Sequence, residues 1–98
     1  MSAGDVARAV VWVGGQVQGV GFRWWAAREA SRLELVGSAT NLFDGRVRLE
    51  VQGHPDDVDA MVGLAVSQPG PAGRPGRVAT TLVDRPAPDP ALRRFDVR

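Results

Sequence analysis

The sequence predicts an α+β fold in which two helices pack on one face of an antiparallel sheet. Apolar spacing along the 98 residues gives the order strand, helix, strand, strand, helix, strand, with a short extra strand at the C-terminal end. The two middle strands are joined by an Asp-Gly turn, which is typical of a β-hairpin. With 44% hydrophobic and 23% charged residues, the composition is that of an ordinary soluble domain. We therefore expect one domain over residues 1–98, large enough to bury a core of its own.

The first strand is expected at residues 8–16, after a flexible tail at residues 1–7. Successive side chains of a strand point to opposite faces of the sheet. Val11 and Val13 therefore share a face, which we expect to point toward the helices. Trp12 then lies on the open face of the sheet.

The first helix is expected at residues 23–33. Its apolar face is formed by residues at helical spacing, with Trp25 beside them: Phe22, Ala26, Ala30 and Leu33. Trp24 points about 100° away from Trp25, because each residue turns an α-helix by that angle, and should be partly exposed. Since Trp24 adjoins Arg23, it is either a surface residue or part of the mouth of a site.

Two strands and a tight turn follow. Residues 36–40 predict a short second strand, residues 42–45 a turn, and residues 46–52 the third strand. The third strand alternates cleanly. Its inward residues are Val47, Leu49 and Val51, and its outward residues are Arg46, Arg48, Glu50 and Gln52.

The second helix begins in residues 53–57, where Pro55 takes the first helical position and two acidic residues follow it. Apolar residues then recur at the spacing of an amphipathic helix: Val58, Met61, Val62, Ala65 and Val66. His54 is best explained as a residue at the start of this helix and not as a catalyst.

The C-terminal part contains two irregular segments and two strands. Residues 69–76 and the proline-rich residues 85–90 cannot be helix or strand. Residues 77–83 predict the fourth strand, and Phe95 and Val97 alternate with polar residues in a short last strand. The element order is that of the split β-α-β, or ferredoxin-like, fold. We expect both helices on one face of the sheet and mostly solvent on the other.

A glycine-rich loop joins the first strand to the first helix. Residues 13–23 contain Gly14, Gly15, Gly19 and Gly21 and no acidic residue. A turn that opens into a helix N-terminus points unpaired N–H groups outward, and the helix dipole adds positive potential. Such a loop is typical of an anion site, most often for phosphate.

Arg23 supports this interpretation. A cation in the first turn of a helix is unfavourable by a few tenths to about 1 kcal/mol, so its presence there suggests a function. The guanidinium can hold a phosphate through two hydrogen bonds. The alternative is a surface arginine after an ordinary strand-to-helix turn.

Two stretches of the chain resemble the acylphosphatase family. Residues 13–23 match the pattern V-x-G-x-V-Q-G-V-x-F-R, which is long and specific. A second pattern, G-x-x-x-N-x-x-D-G, is matched at Gly37, Asn41, Asp44 and Gly45. The resemblance extends over residues 8–98 and implies hydrolysis of the carboxyl–phosphate anhydride of an acyl phosphate.

The resemblance also implies the site residues. The family's catalytic arginine and asparagine correspond to Arg23 and Asn41. The backbone N–H groups that hold the phosphate belong to Gln18, Gly19, Val20, Gly21 and Phe22. Taken without the resemblance, Asn41 is better explained as a turn residue. Parallel first and second strands with the third between them would bring Arg23 and Asn41 to one sheet edge, about 10 Å apart at the strand ends.

At two positions the chain departs from the family. Glu34 stands where the first helix ends and where the family usually has glycine, the residue that adopts left-handed dihedrals most easily. Ser38 stands where the family often has a large aromatic residue. The first departure affects the end of the helix and not the chemistry.

Composition excludes several other classes of site. The chain has no cysteine and one histidine, so no disulfide frame or metal cluster is expected, and no cofactor. A net charge of +1 is too small to argue for nucleic acid, although the sequence pI is near 9.0. No run has the length of a signal peptide or a membrane span, so we expect a cytoplasmic protein, as a monomer with a small-molecule substrate.

Two other functions stay open at this point. The first is a regulatory module that holds phosphate or carbamoyl phosphate in the same pocket without turnover. The second is an RNA-binding ferredoxin-like domain, which would stack bases on aromatic residues of its central strands. Against the second, the third strand has no aromatic residue and the first offers only Trp12.

Overall fold

The computed structural model describes residues 5–98 and contains five strands and two helices. In chain order the elements are β1 (Ala7–Gln16), α1 (Phe22–Arg32), β2 (Val36–Asn41), β3 (Val47–Gly53), α2 (Pro55–Val66), β4 (Arg77–Asp84) and β5 (Phe95–Val97). The predicted order of the elements is confirmed, and most of their predicted boundaries lie within one residue of the observed ones. Of the predicted tail, residues 1–4 lie outside the described residues. Neither helix has the length and apolarity needed to cross a membrane.

The sheet has the strand order β4-β1-β3-β2-β5. Both β1 and β2 pair antiparallel with β3, so they run parallel to each other with β3 between them. Val11 of β1, Leu49 of β3 and Ala39 of β2 lie side by side in one row across the sheet. The ends of β1 and β2 therefore meet at the same edge, as the sequence predicts.

One hydrophobic core fills the space between the sheet and the helices. α1 packs on β2 and β5, and α2 packs on β1 and β3. The predicted inward residues of β1 and β3 are fully buried: Val11, Val13, Val47, Leu49 and Val51. In α1, the rings of Phe22 and Trp25 pack with their centroids 5.3 Å apart. Trp24 is 60% exposed, as its angle on the helix predicts.

The second face of the sheet differs from the prediction that it mostly contacts solvent. β4 and β5 lie at opposite edges, so residues 85–94 must cross this face to connect them. Gln52 is bound to the crossing segment twice, since its Nε2 donates to Asp89 O at 2.9 Å and its Oε1 accepts from Asp89 N at 2.7 Å. Glu50 and Gln52, predicted to point outward into solvent, are each only 7% exposed. They do point away from the helices, but into a layer that the sequence did not reveal.

Charged residues on this face are paired. Arg8 Nε donates to Glu50 Oε2 at 2.8 Å, and the Arg8 Nη1 group donates to Ala87 O of the crossing segment at 3.3 Å. The Arg48 guanidinium lies 5.9 Å from the centre of the Trp12 ring. A buried carboxylate is tolerated where a cation and hydrogen bonds compensate its lost hydration, and Arg8 supplies both for Glu50.

The first helix ends at a residue with left-handed dihedrals. Glu34 has φ of 56° and is the sole non-glycine residue with positive φ among residues 5–98. Leu35 N donates to Ala30 O at 2.8 Å, and Glu34 N donates to Ser31 O at 3.1 Å. These are the two hydrogen bonds of a Schellman motif, in which the left-handed residue is usually glycine.

Replacing Glu34 with glycine should stabilise the protein by about 1 kcal/mol, because the Cβ that opposes left-handed dihedrals is removed. The free energy of unfolding, from denaturant titration, measures the gain. Glu34→Ala is the matched control: it removes the carboxylate but keeps the Cβ, and should leave stability near that of the parent. A glycine variant no more stable than the alanine variant would contradict the argument.

Polar side chains cap both ends of α2. His54 Nδ1 accepts a hydrogen bond from Asp56 N at 3.2 Å, which confirms the predicted role of His54 at the helix start. At the other end, Arg74 Nη1 donates to Leu64 O at 3.0 Å and to Ala65 O at 3.1 Å. Burial lowers the pKa of Arg74. Arg74 thus fixes the loop after α2 to the last turn of that helix.

Candidate active site

The loop between β1 and α1 presents free backbone N–H groups. Gly19 has φ of 74° and Gly21 has φ of 90°, dihedrals that other residues rarely adopt. Within residues 5–98, no hydrogen bond uses the N–H groups of residues 18–24. Gly19, Val20 and Gly21 are exposed, and Gly21 caps α1 without a side-chain hydrogen bond. The five residues predicted to bind phosphate through their N–H groups therefore form one continuous segment that reaches solvent and has no internal acceptor.

Arg23 is the second residue of α1 and is half-buried. Among residues 5–98, most arginines pair with a carboxylate, but Arg23 has no carboxylate or carbonyl partner. The first turn of α1 has no acidic residue either. A guanidinium beside unpaired N–H groups, with no carboxylate of the described residues to neutralise it, is a favourable place for an anionic ligand.

Asn41 is the last residue of β2. Its backbone N–H donates to Arg98 O at 3.2 Å, which holds it in the sheet. Its side-chain Oδ1 is buried and has no hydrogen-bond partner among the described residues. A buried acceptor without a donor costs about 1–3 kcal/mol and calls for an explanation, which is often functional.

The side chain of Gln18 joins the loop to the turn that follows Asn41. Gln18 Nε2 donates to Leu42 O at 2.8 Å and to Arg46 O at 3.0 Å. Both donors of the amide are thus used, and the two carbonyls flank the turn between β2 and β3. The sequence predicted a role for the backbone of Gln18 and gave no signal for its side chain. This contact fixes the segment that contains Arg23 relative to the segment that contains Asn41.

The turn itself is braced by its acidic residue. Asp44 accepts a hydrogen bond from Arg46 N at 3.1 Å and from Arg46 Nε at 2.8 Å. The backbone hydrogen bond from Arg46, followed by the side-chain hydrogen bond, lowers the pKa of Asp44. At neutral pH, Asp44 is therefore ionised and hydrogen-bonded to Arg46, and it does not act as a proton donor to the site.

The loop after α2 lies against the glycine-rich loop. A Cβ at Gly76 would come within 2.1 Å of Gln16 O and 2.8 Å of Val20 Cγ2, so only glycine permits this close approach. A cavity of about 490 Å³ lies between this loop and β4, with Arg74, Arg77 and Val78 in its lining. Neither Arg23 nor Asn41 lines it. Arg23 and Asn41 therefore do not belong to this cavity, and the close approach of the loop after α2 to the glycine-rich loop could not be predicted from the sequence.

The described residues offer no cluster of metal ligands, since no three His, Asp or Glu side chains among residues 5–98 come together as a metal site would require. The polar groups available at the site are an arginine, an asparagine and backbone N–H groups. This set can bind an oxyanion and orient a small polar molecule, but it contains no general acid or base.

Comparisons with known proteins point in the same direction as the geometry. A sequence model of the acylphosphatase family matches residues 9–97. An acylphosphatase of Corynebacterium diphtheriae is 47% identical over 76 residues, which are 78% of this chain and 79% of that protein. An acylphosphatase of Mycobacterium sp. (strain KMS) is 43% identical over 84 residues, 86% of this chain and 85% of that protein.

The fold of this chain is also similar to that of a solved structure. The crystal structure of acylphosphatase from Bacillus subtilis superposes with a TM-score of 0.80 and 29% sequence identity, covering 94% of this chain and 98% of that one. The chain belongs to the acylphosphatase family.

Proposed function

We propose that Arg23, Asn41 and the glycine-rich loop together carry out the reaction of this family in the present chain. As an acylphosphatase, the chain hydrolyses an acyl phosphate to a carboxylate and inorganic phosphate. The observation that carries the assignment of residues is that two groups without a partner among residues 5–98 lie on segments that meet at one sheet edge. One is the half-buried guanidinium of Arg23, which pairs with no carboxylate there, and the other is the buried Oδ1 of Asn41.

The phosphoryl group binds at the loop. Its oxygens accept hydrogen bonds from the N–H groups of Gln18, Gly19, Val20, Gly21 and Phe22 and from the guanidinium of Arg23. These donors are held in place before the substrate arrives, because Gly21 is the N-cap of α1 and Gln18 is held by two hydrogen bonds. Donors that need not reorganise stabilise the charge that shifts onto the phosphoryl oxygens in the transition state.

Asn41 positions the water. Its Oδ1, which has no donor among residues 5–98, accepts a hydrogen bond from the water that attacks phosphorus on the side opposite the acyl oxygen. The new P–O bond forms as the bond between phosphorus and the acyl oxygen breaks. The electron pair of that bond leaves with the carboxylate, and the proton of the water ends on the phosphate product.

The leaving group explains why no general acid is required. A carboxylate departs as a stable anion, whereas the alkoxide of a phosphate ester needs a proton as it leaves. No residue of the site serves as a proton donor: Asp44 is engaged by Arg46, and His54 caps α2. The proposed site is therefore matched to acid anhydrides and not to esters.

Hydrolysis should not depend on a metal ion and should discriminate strongly by leaving group. Purified protein treated with excess EDTA should hydrolyse benzoyl phosphate at an unchanged rate, because charge stabilisation comes from Arg23 and N–H groups and not from a cation. A simple alkyl phosphate should be turned over negligibly. Release of inorganic phosphate, corrected for spontaneous hydrolysis, measures both.

Loss of activity in EDTA that added Mg²⁺ restores would contradict the metal-free mechanism. Comparable rates on benzoyl phosphate and an alkyl phosphate would contradict the argument from the leaving group. Phosphate binding without turnover of any acyl phosphate would favour the regulatory module instead.

We propose further that residues 1–98 form one domain that acts as a monomer in the cytoplasm on a small-molecule substrate, without nucleic acid. In support, a single core cluster joins both helices to the sheet. The sheet face that an RNA-binding fold would use is partly covered by residues 85–94, which bind Gln52 near the end of β3. Sedimentation of the purified protein tests whether it is a monomer. A titration with single-stranded RNA tests whether it binds nucleic acid.

A further inference from the structure

Three exposed apolar side chains lie on the segments that carry the candidate site residues, and we name them the apolar rim: Val20, Trp24 and Phe43. Val20 is 43% exposed, Trp24 60% and Phe43 114%. They make up half of the six large apolar residues that are exposed among residues 5–98. Exposed apolar side chains that adjoin a candidate site call for an explanation, because apolar surface at such a place often binds a ligand.

Each member of the rim adjoins a residue of the proposed site. Val20 lies within the glycine-rich loop, Trp24 follows Arg23, and Phe43 is two residues after Asn41. The two hydrogen bonds from Gln18 hold the loop against the turn that contains Phe43. α1 packs over β2, so its first turn, with Trp24, lies at the same end of the sheet as that turn.

The fold itself does not require these side chains to be apolar. Phe43 is fully exposed, so it contributes no packing, and Trp24 lies on the helix face away from the core. An aromatic residue at a turn of this kind would ordinarily be replaced by a polar one without loss of stability. Their chemistry therefore points to a contact outside the folded chain.

The position of the phosphoryl group identifies that contact. When phosphate is held by Arg23 and the loop, the acyl carbon must project outward, because the loop side is filled by backbone and α1. The segments that border the site carry the apolar rim, so we expect the acyl group to contact it. The charged residue of the turn, Asp44, is occupied by Arg46, so the rim offers no free charge of its own to a polar acyl group.

We propose that the apolar rim binds the acyl group of the substrate and makes the enzyme selective for acyl phosphates with an aryl or long alkyl group. This inference rests on the proposed function. Trp24 and Phe43 are then specificity residues: they contact the non-reacting part of the substrate and take no part in bond breaking.

The experiment compares benzoyl phosphate with acetyl phosphate, which share the reacting group and differ in apolar area. In the parent, kcat/KM should be higher for benzoyl phosphate. Trp24→Ser and Phe43→Ser should each lower the ratio of kcat/KM for benzoyl phosphate to kcat/KM for acetyl phosphate. The double variant should lower this ratio by about tenfold, as expected when the phenyl group of the substrate loses its apolar contacts. Leu82→Ser, at a residue 60% exposed on β4, is the matched control and should leave the ratio unchanged.

The inhibition constant for inorganic phosphate provides a second readout. Phosphate has no acyl group, so the rim variants should bind phosphate as tightly as the parent does. A substitution that disturbed the glycine-rich loop would instead weaken phosphate binding. An unchanged benzoyl-to-acetyl ratio in the double variant would overturn the inference, as would an equal change in Leu82→Ser. If the parent hydrolyses neither substrate, the proposed function is wrong. If the parent hydrolyses both substrates without preference, the proposed function stands and only the inference about the apolar rim is wrong.

Discussion

Replacing Arg23 with alanine should abolish phosphate binding and turnover together. The guanidinium contacts the phosphoryl group both in the bound substrate and in the transition state, so its loss affects both. Hydrogen bonds to charged groups contribute about 1.5–3 kcal/mol each, so losing two should raise the inhibition constant for inorganic phosphate by about 10²-fold or more. kcat/KM for benzoyl phosphate should fall by about 10³-fold or more, the scale seen when a phosphoryl-transfer enzyme loses its arginine.

Two further variants make this result specific. Arg28→Ala removes the same charge from an exposed position on the same helix, and should leave the inhibition constant and kcat/KM near the parent values. Arg23→Lys restores the charge but not the two-pronged contact, so it should recover only part of the loss. An Arg23→Ala protein that is folded and still binds phosphate as the parent does would show that the guanidinium is not a phosphate ligand.

The architecture could be predicted because its signals are local. Alternating apolar residues in β3, helical spacing in α1 and α2, and the turn at Asp44 each depend on a few neighbouring residues. The burial of Leu49 and the exposure of Trp24 follow from the same periodicities. The meeting of the β1 and β2 ends at one edge then follows from topology alone, since β3 lies between them.

Contacts between distant segments could not be predicted. Gln18 donates to carbonyls 24 and 28 residues away, and Gln52 bonds with a residue 37 positions later. The hydrogen bonds of Gln18 and Gln52 use backbone groups of the partner segment, which every residue possesses. No pattern of side chains in the sequence therefore predicts them. The outward residues of β3 were accordingly placed in solvent, although residues 85–94 cover Glu50 and Gln52.

The site was predicted through a different signal. Glycines and Arg23 in the loop indicated an anion site from physical chemistry, but Asn41 alone looked like a turn residue, and only the resemblance gave it a role. The structure adds an independent observation, which is that the buried Oδ1 of Asn41 has no donor in the part of the chain that the structure describes. Glu34 is a second case in which the family pattern predicted an unusual position, and its φ of 56° matches the left-handed helix end.

Replacing Asn41 with alanine should lower kcat by about 10²-fold or more while leaving phosphate affinity near the parent value. Asn41 is proposed to contact the water and not the phosphate, and about 10²-fold is the scale for losing the positioning of one reacting group. The kcat for benzoyl phosphate and the inhibition constant for inorganic phosphate, measured on the same folded preparation, separate the two effects.

The comparison with Arg23→Ala decides whether the two residues have different roles. Thr40→Ala is the control, because Thr40 precedes Asn41 in β2 and its side chain points to the opposite sheet face, so kcat should stay near the parent value. Removing the amide also removes the buried Oδ1 that has no donor, so Asn41→Ala should be no less stable than the parent, and its loss of kcat is then not a loss of fold. If Asn41→Ala weakens phosphate as much as Arg23→Ala does, or leaves kcat intact, the asparagine does not act on the water.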